Sequence, residues 1–173
     1  MPAVDQTTYA RFDIKQFTIT FNRNYTSADA TTHATLTNAK YGTTQTVNVP
    51  TRTGYTFASW TKSSTFVGSI SSTTADATYT FANNTYNQTD TITASWTANK
   101  YIIAFNKNDT AATGTMSNMT NCAYDTSYTL TANAFTKTGY TFVGWSTSAT
   151  SEDIAYEDEA TFKYETIGNT ELF

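Results

Sequence analysis

Three sets of side chains in this 173-residue sequence are of types that do chemistry. His33 is the sole histidine, and a general base needs a nucleophile and an orienting acid beside it. The Thr- and Ala-rich residues around it supply neither by any motif, so His33 reads as an exposed loop histidine. Glu152, Asp153, Glu157, Asp158 and Glu159 could bind a hard cation through oxygen, but they lack the Gly-punctuated D-x-D-x-D-G loop of an EF-hand. A solvated helix face explains them more simply. Cys122 is the only cysteine, which excludes an intramolecular disulfide and a thiolate metal cluster and leaves a small hydrophobe. No Gly-rich phosphate loop or G-x-S-x-G elbow occurs. The expectation is therefore no catalytic set, no metal site and no cofactor. Asn-x-Thr sequons at Asn24, Asn83, Asn87, Asn108 and Asn118 matter only in a host that glycosylates them. Lys or Thr side chains could form isopeptide or ester cross-links, and the sequence places no triad for one.

The elements that would position such groups are organised by repetition. Arg52 to Trp60 (RTGYTFASW) returns 85 residues later as Lys137 to Trp145 (KTGYTFVGW). Phe17 to Phe21 (FTITF) returns as Tyr101 to Phe105 (YIIAF), 84 residues on. A period of this size means a tandem array. Residues 7–21 also match residues 91–105, so that Ala10 corresponds to Ala94 and Phe12 to Trp96. This divides the chain into residues 1–15 as the last strand of a preceding unit, 16–99 as unit one and 100–173 as unit two. Gly168 to Phe173 then starts a closing strand that stops short, and the whole reads as a slice through a longer array.

Within each unit Phe17, Ile19 and Phe21, or Tyr101, Ile103 and Phe105, alternate with outward residues as in a half-buried strand. Polar loops are expected over Asn22 to Thr35 and Asn106 to Asn121. A second strand is expected from Tyr41-Gly42 to Pro50 and from Tyr124 to about Ala134. Gly54 and Gly139 mark the turn into a third strand, on which Tyr140 and Phe142 share a face. Trp145 lies three residues beyond Phe142, which breaks the alternation and requires a bulge or corner at Gly144; Ser59 holds that place in unit one. Tyr156, Ala160 and Tyr164 fall on one helical stripe, with the acidic cluster on the early turns, as a short helix would have. Ile92, Ala94 and Trp96 alternate as a closing strand, and Thr97 to Lys100 is a short join.

Composition agrees with small β units. Hydrophobic residues are 39% and mean hydropathy is -0.43, so each core is thin, and an aromatic content of 15% must fill it. Thr supplies roughly a quarter of the chain, a β-branched bias toward strands. Thr-x-Thr pairs share no short period and so form no ice-binding ladder. Charged residues are 14% with a net charge of -4, which leaves no basic stripe for nucleic acid. No apolar run approaches the ~18 residues needed for a membrane span, so no membrane insertion is expected.

Phe17 to Phe21, Tyr41-Gly42, Gly54 to Trp60 and Ile92 to Trp96, then Tyr101 to Phe105, Tyr124, Gly139 to Trp145 and Leu172-Phe173, together resemble the internalin B-repeat family, also called the Listeria-Bacteroides repeat. The match covers both units almost end to end. It implies a mainly β fold: two tandem small β-grasp-like modules, each with at most one short helix, carried on secreted or wall-attached bacterial surface proteins and without enzymatic activity. The residues carrying the motif are structural: Phe17, Phe21, Gly54, Tyr55, Phe57, Trp60, Trp96, Tyr101, Phe105, Gly139, Tyr140, Phe142 and Trp145. Where the family often has glycines after the first strand, this chain has Asn22-Arg23-Asn24 and Asn106-Lys107-Asn108, and Asn tolerates the same left-handed turn. The long segment from Trp60 to Ile92 looks like an insertion.

The expected role is that of an extracellular spacer or stalk with secondary adhesion; the alternative is a carbohydrate- or protein-binding module using an exposed sheet face or edge. Its partners would be neighbouring repeats and a host or cell-surface protein or glycan. Because the closing strand of unit two is short, its open edge is expected to recruit a strand from a neighbouring molecule, with Thr7 to Phe12 as the donor.

Overall fold

The computed structural model describes residues 7–25, 35–81 and 88–173; the side chains of Asn38 and Gln88 are also left undescribed. His33 and the sequons at Asn83 and Asn87 lie outside these residues. The described chain contains twelve strands and no helix. They are β1 (Gln16–Asn22), β2 (Leu36–Lys40), β3 (Thr44–Val47), β4 (Tyr55–Lys62), β5 (Ser69–Ile70), β6 (Ala77–Thr80), β7 (Gln88–Ala98), β8 (Lys100–Phe105), β9 (Met119–Ala123), β10 (Ser127–Thr129), β11 (Thr161–Lys163) and β12 (Thr170–Leu172). They fall into two compact units. One comprises Met1–Pro50 and Phe57–Ser95, the other Thr51–Thr56 and Trp96–Phe173, so the Gly54 turn belongs spatially with the second.

The first unit is built on a sheet of order β2-β1-β7-β4, with β3-β6-β5 as a second sheet. β1 alternates as its sequence dictates, burying Phe17, Ile19 and Phe21. Burying side chains of this size stabilises a fold by ~1.5–3 kcal/mol each. β2 runs antiparallel to β1, whereas β7 runs parallel to it, in register from Phe17 opposite Gln88 to Asn22 opposite Thr93. A parallel neighbour requires a long crossover, and the residues between β1 and β7 provide it. Val47, Trp60, Ala77, Tyr79, Phe81, Ile92 and Ala94 are buried with them. The rings of Phe17 and Tyr79 lie 5.6 and 4.7 Å from that of Phe81.

The second unit repeats this plan with fewer strands. β8 sits between β12, parallel to it, and β9, antiparallel, while β10 pairs with β11. Ile103, Phe105, Cys122, Leu130, Trp145, Tyr164 and Leu172 form its core. In both units the antiparallel ladder slips at the same point, between Phe17 and Ile19 and between Tyr101 and Ile103. In β9 the extra residue includes Asn121 at φ 59°, a left-handed bulge residue. The replacement turns form as expected: Asn24 and Asn108 take φ 59° and 52°, and their amides donate to the side chains of Asn22 (2.8 Å) and Asn106 (2.9 Å).

Five sequence expectations are corrected. The short helix over residues 152–164 is absent: Glu159 has φ 54°, which no right-handed helix accommodates, and the Tyr156 and Ala155 amides bond to the Trp145 carbonyl at 3.1 and 2.7 Å. The loop from Asn106 to Asn121 ends early, because Met119–Ala123 is already strand β9. Tyr41-Gly42 and Tyr124-Asp125 do not begin a strand. They are the corner between two, with φ 79° at Gly42 and 65° at Asp125. Residues after Tyr124 form only the three-residue β10. Residues 140–144 form no strand, although the matching Tyr55–Lys62 does. Residues 7–15 likewise form no strand, and Phe12 is 91% exposed.

Candidate functional site

No cluster of His, Cys, Asp or Glu able to hold a metal occurs among the described residues, and the acidic residues 152, 153, 157, 158 and 159 lie exposed outside any strand. Asp158 instead accepts hydrogen bonds from the Asn133 and Glu159 amides at 2.9 and 3.1 Å. Two other features stand out, a latched terminal ladder in each unit and an open cleft in the second.

The ladder joins the first strand of each unit to its last, β1 to β7 and β8 to β12. A tyrosine fastens the last strand in each case. Tyr79, 2% exposed, donates from its hydroxyl to Asp90 Oδ2 at 2.5 Å. Asp90 stands opposite Ile19 in the ladder, is buried, and also accepts from the amides of Gly68 (2.8 Å) and Val67 (3.1 Å). In the second unit Tyr164 lies 85 residues after Tyr79, and its hydroxyl contacts Thr170 Oγ1 at 3.0 Å and donates to the Gly168 carbonyl at 2.6 Å. Thr170 stands opposite Ile103, the counterpart of Ile19. The two latches are therefore equivalent by register. Burial, with the Asp90 bond second, pushes the Tyr79 hydroxyl well above its ordinary pKa; burial also raises that of Tyr164. Asp90 has no lysine among its hydrogen-bond partners, so this buried carboxyl works as an anchor rather than as part of an isopeptide triad. Sequence reasoning put Tyr164 on a helical stripe and left Tyr79 unplaced; the signal was their shared spacing with Gly54 and Gly139.

The motif residues divide between core and surface. Phe17, Phe21, Trp60, Phe105 and Trp145 are buried, with Phe105 4.9 Å from Trp145 and Phe57 5.2 Å from Trp60. Tyr101 and Trp96 are half-buried, the former stacked 5.7 Å from Tyr164. Gly54 and Gly139 make the same turn, with φ 76° and 80°, a 3.1 Å bond from the following Tyr amide back to Arg52 or Lys137, and the basic group folded onto the Tyr ring at 3.6 and 3.8 Å. Their surroundings differ. A Cβ on Gly54 would meet the Tyr124 ring at 2.2 Å, whereas Gly139 has open space. Tyr55 donates to Asp125 Oδ2 at 3.0 Å, and Asp125 is held below the usual carboxylate range mainly by Lys163, with Tyr55 second. Tyr140 is 70% exposed. At Gly144, with φ 149°, a Cβ would lie 2.5 Å from Ile154 Cγ2 and 2.8 Å from the Tyr156 carbonyl, so the close approach there needs a glycine.

Tyr140, Phe142 and Val143 border a cleft of about 550 Å³ floored by Trp145, Phe135, Ala112 and Phe173. Ser146, next to Trp145, and Phe173 exchange two backbone hydrogen bonds of 2.8 and 2.9 Å. Beyond that pair the backbones of residues 141–144 make no hydrogen bond among the described residues.

Comparison with known proteins gives one family. The profile of the Listeria-Bacteroides repeat domain matches residues 17–99 and again residues 101–173. A protein of Evansella cellulosilytica named "Putative membrane protein" is 25% identical over 161 residues, covering 92% of this chain. The chain spans 22% of that relative's length. No solved structure matches. No helix among the described residues is long and apolar enough to cross a membrane.

Proposed function

Because the chain belongs to the Listeria-Bacteroides repeat family, with two copies in tandem, we propose that it is an extracellular spacer segment of a bacterial surface protein, built to hold its shape under tension. One observation carries this reading: in each unit the first and last strands are parallel neighbours. Pulling a unit by its ends then drags the two strands past each other, so that the ladder bonds are loaded together instead of opening one by one. Tyr79 and Tyr164 add a side-chain anchor to the strand that bears the load. The six register pairs of β1 with β7, against three of β8 with β12, rank the first unit as the stronger. Single-molecule pulling between handles at the two termini tests this. Two unfolding steps are expected, the higher-force one carrying the first unit and falling in Tyr79→Phe. Unfolding of either unit at forces no greater than those that peel antiparallel hairpins apart would sink the proposal.

The unpaired edge at residues 141–144 favours a second role, docking of an extended partner by strand addition or of a glycan on the exposed Tyr140 ring. Glycan-array binding that disappears in Tyr140→Ser would assign the sugar; a silent array would remove it.

A further inference from the structure

We propose that the second unit carries a recognition site for a Gly-Tyr-Thr turn, formed by Asn99, Tyr124, Asp125 and Lys163 and filled by Thr51–Thr56, and that the Asp125 carboxylate selects the tyrosine. This goes beyond the spacer and edge-docking readings and depends on neither. In sequence the turn leads into β4, far ahead of the other residues of the second unit, yet Thr51–Thr56 clusters with Trp96–Phe173. The turn holds its shape by itself. Gly54 at φ 76° and the 3.1 Å bond from the Tyr55 amide to the Arg52 carbonyl define it, and the Arg52 guanidinium covers the Tyr55 ring at 3.6 Å. The copy at Gly139 takes the same shape, with φ 80° and a bond of equal length, although a Cβ there would have open space around it. The shape therefore comes from the turn's own residues, and a preformed element loses little freedom when it docks.

The site reads each part of that turn. Asn99, between β7 and β8, donates its amide to the Gly54 carbonyl at 2.9 Å and accepts the Thr56 hydroxyl on its side-chain oxygen at 2.6 Å. Its own carbonyl accepts the Tyr124 amide at 2.9 Å, so one residue ties the turn to the Tyr124 corner. The Tyr124 ring lies so close to Gly54 that a Cβ there would be 2.2 Å from it, and the glycine is thus read by shape. The same ring meets that of Tyr55 edge-on at 5.7 Å. Asp125 accepts the Tyr55 hydroxyl on Oδ2 at 3.0 Å while Lys163 pairs with Oδ1, so the lysine holds the carboxylate and leaves one oxygen for the tyrosine. By ladder register this Tyr124-Asp125 corner corresponds to Tyr41-Gly42 of the first unit, where Gly42 has no side chain to accept a hydroxyl. Asp125 has φ 65°, a backbone that favours glycine over aspartate, so a role confined to the corner would not require a carboxylate.

Hydrogen exchange of the whole chain tests this, read on peptides from β8 and β9 for the second unit and from β1 and β6 for the first. Tyr55→Phe removes only the hydroxyl, and Asp125→Gly removes the carboxylate while suiting the backbone. Each should lower protection in β8 and β9 by about fivefold or more and leave β1 and β6 unchanged. The double variant should lose no more than Asp125→Gly alone, because both changes delete the same bond. NMR of ring-labelled tyrosine gives a readout that a purely structural role would not move. Burial, and then the Asp125 bond, raise the pKa of the Tyr55 hydroxyl above its ordinary value, so its ionisation should shift to lower pH in Asp125→Gly. The proposal is overturned by an Asp125→Gly chain as protected as wild type, by losses that add in the double variant, by a Tyr55→Phe loss shared equally with β1 and β6, or by a Tyr55 ionisation that stays in place.

Discussion

Replacing Tyr79 by Phe probes the latch of the first unit by removing a single oxygen. The ring stays against Phe81 at 4.7 Å and Phe66 at 5.6 Å, so apolar packing is kept and only the 2.5 Å bond to Asp90 is lost. A hydrogen bond to a charged group contributes ~1.5–3 kcal/mol. Asp90 retains the Val67 and Gly68 amides, which places the expected loss near the lower end of that range. With a urea m-value of ~1–2 kcal/mol per molar for a unit this small, the midpoint of the first unit should fall by roughly 1 M. Hydrogen exchange read on peptides from β1 and β7 against peptides from β8 and β12 separates the two units. A pH series supplies an independent arm. Burial and the Asp90 bond raise the folded pKa of Tyr79 above its ordinary value of 10.0, so the folded state binds that proton more tightly. This stability is fully present below pH 10 and is lost as pH rises beyond it, at about 1.4 kcal/mol per pH unit. The Phe variant should lack that one-proton slope. An unmoved midpoint, equal loss in both units, or an unchanged alkaline slope would refute the reasoning.

The two motif glycines should respond differently to Ala. Gly139→Ala meets only the left-handed penalty of ~1–2 kcal/mol, whereas Gly54→Ala also drives a methyl into Tyr124 and should cost the second unit more, measured by urea unfolding. At the Asn turn, Asn108→Gly and Asn108→Ala both lose the side-chain donation to the Ala149 carbonyl while the Asn108 amide keeps its bond to Asn106, so Ala should be the less stable of the two by about 1 kcal/mol because it alone meets the penalty of positive φ. Cys122 is 1% exposed and burial raises its thiol pKa, so its labelling by a thiol reagent should keep pace with unfolding of the second unit; rapid labelling of the native protein would show that this core is open.

Much of the plan was readable along the chain. The β1 and β8 alternation, the Gly54 and Gly139 turns and the Asn24 and Asn108 turns are local: residues a few positions apart choose them by side-chain period or by tolerance of positive φ. The helix expected around Tyr156 failed because its apolar stripe competes with backbone bonds to Trp145, a residue eleven positions earlier. Tyr79 and Asp90 were missed for the same kind of reason, since nothing at either position announces the other.

Sequence alone determined that one aromatic-lined plan is written twice, and where each copy turns. Tertiary structure decided which copies of a motif do the same work. Tyr55 and Tyr140 sit in nearly identical stretches, yet one bonds to Asp125 and the other stands 70% exposed. Turn conformation is set by the residue that adopts it, whereas burial, strand pairing and hydrogen-bond partnership are set by whatever the rest of the chain brings opposite.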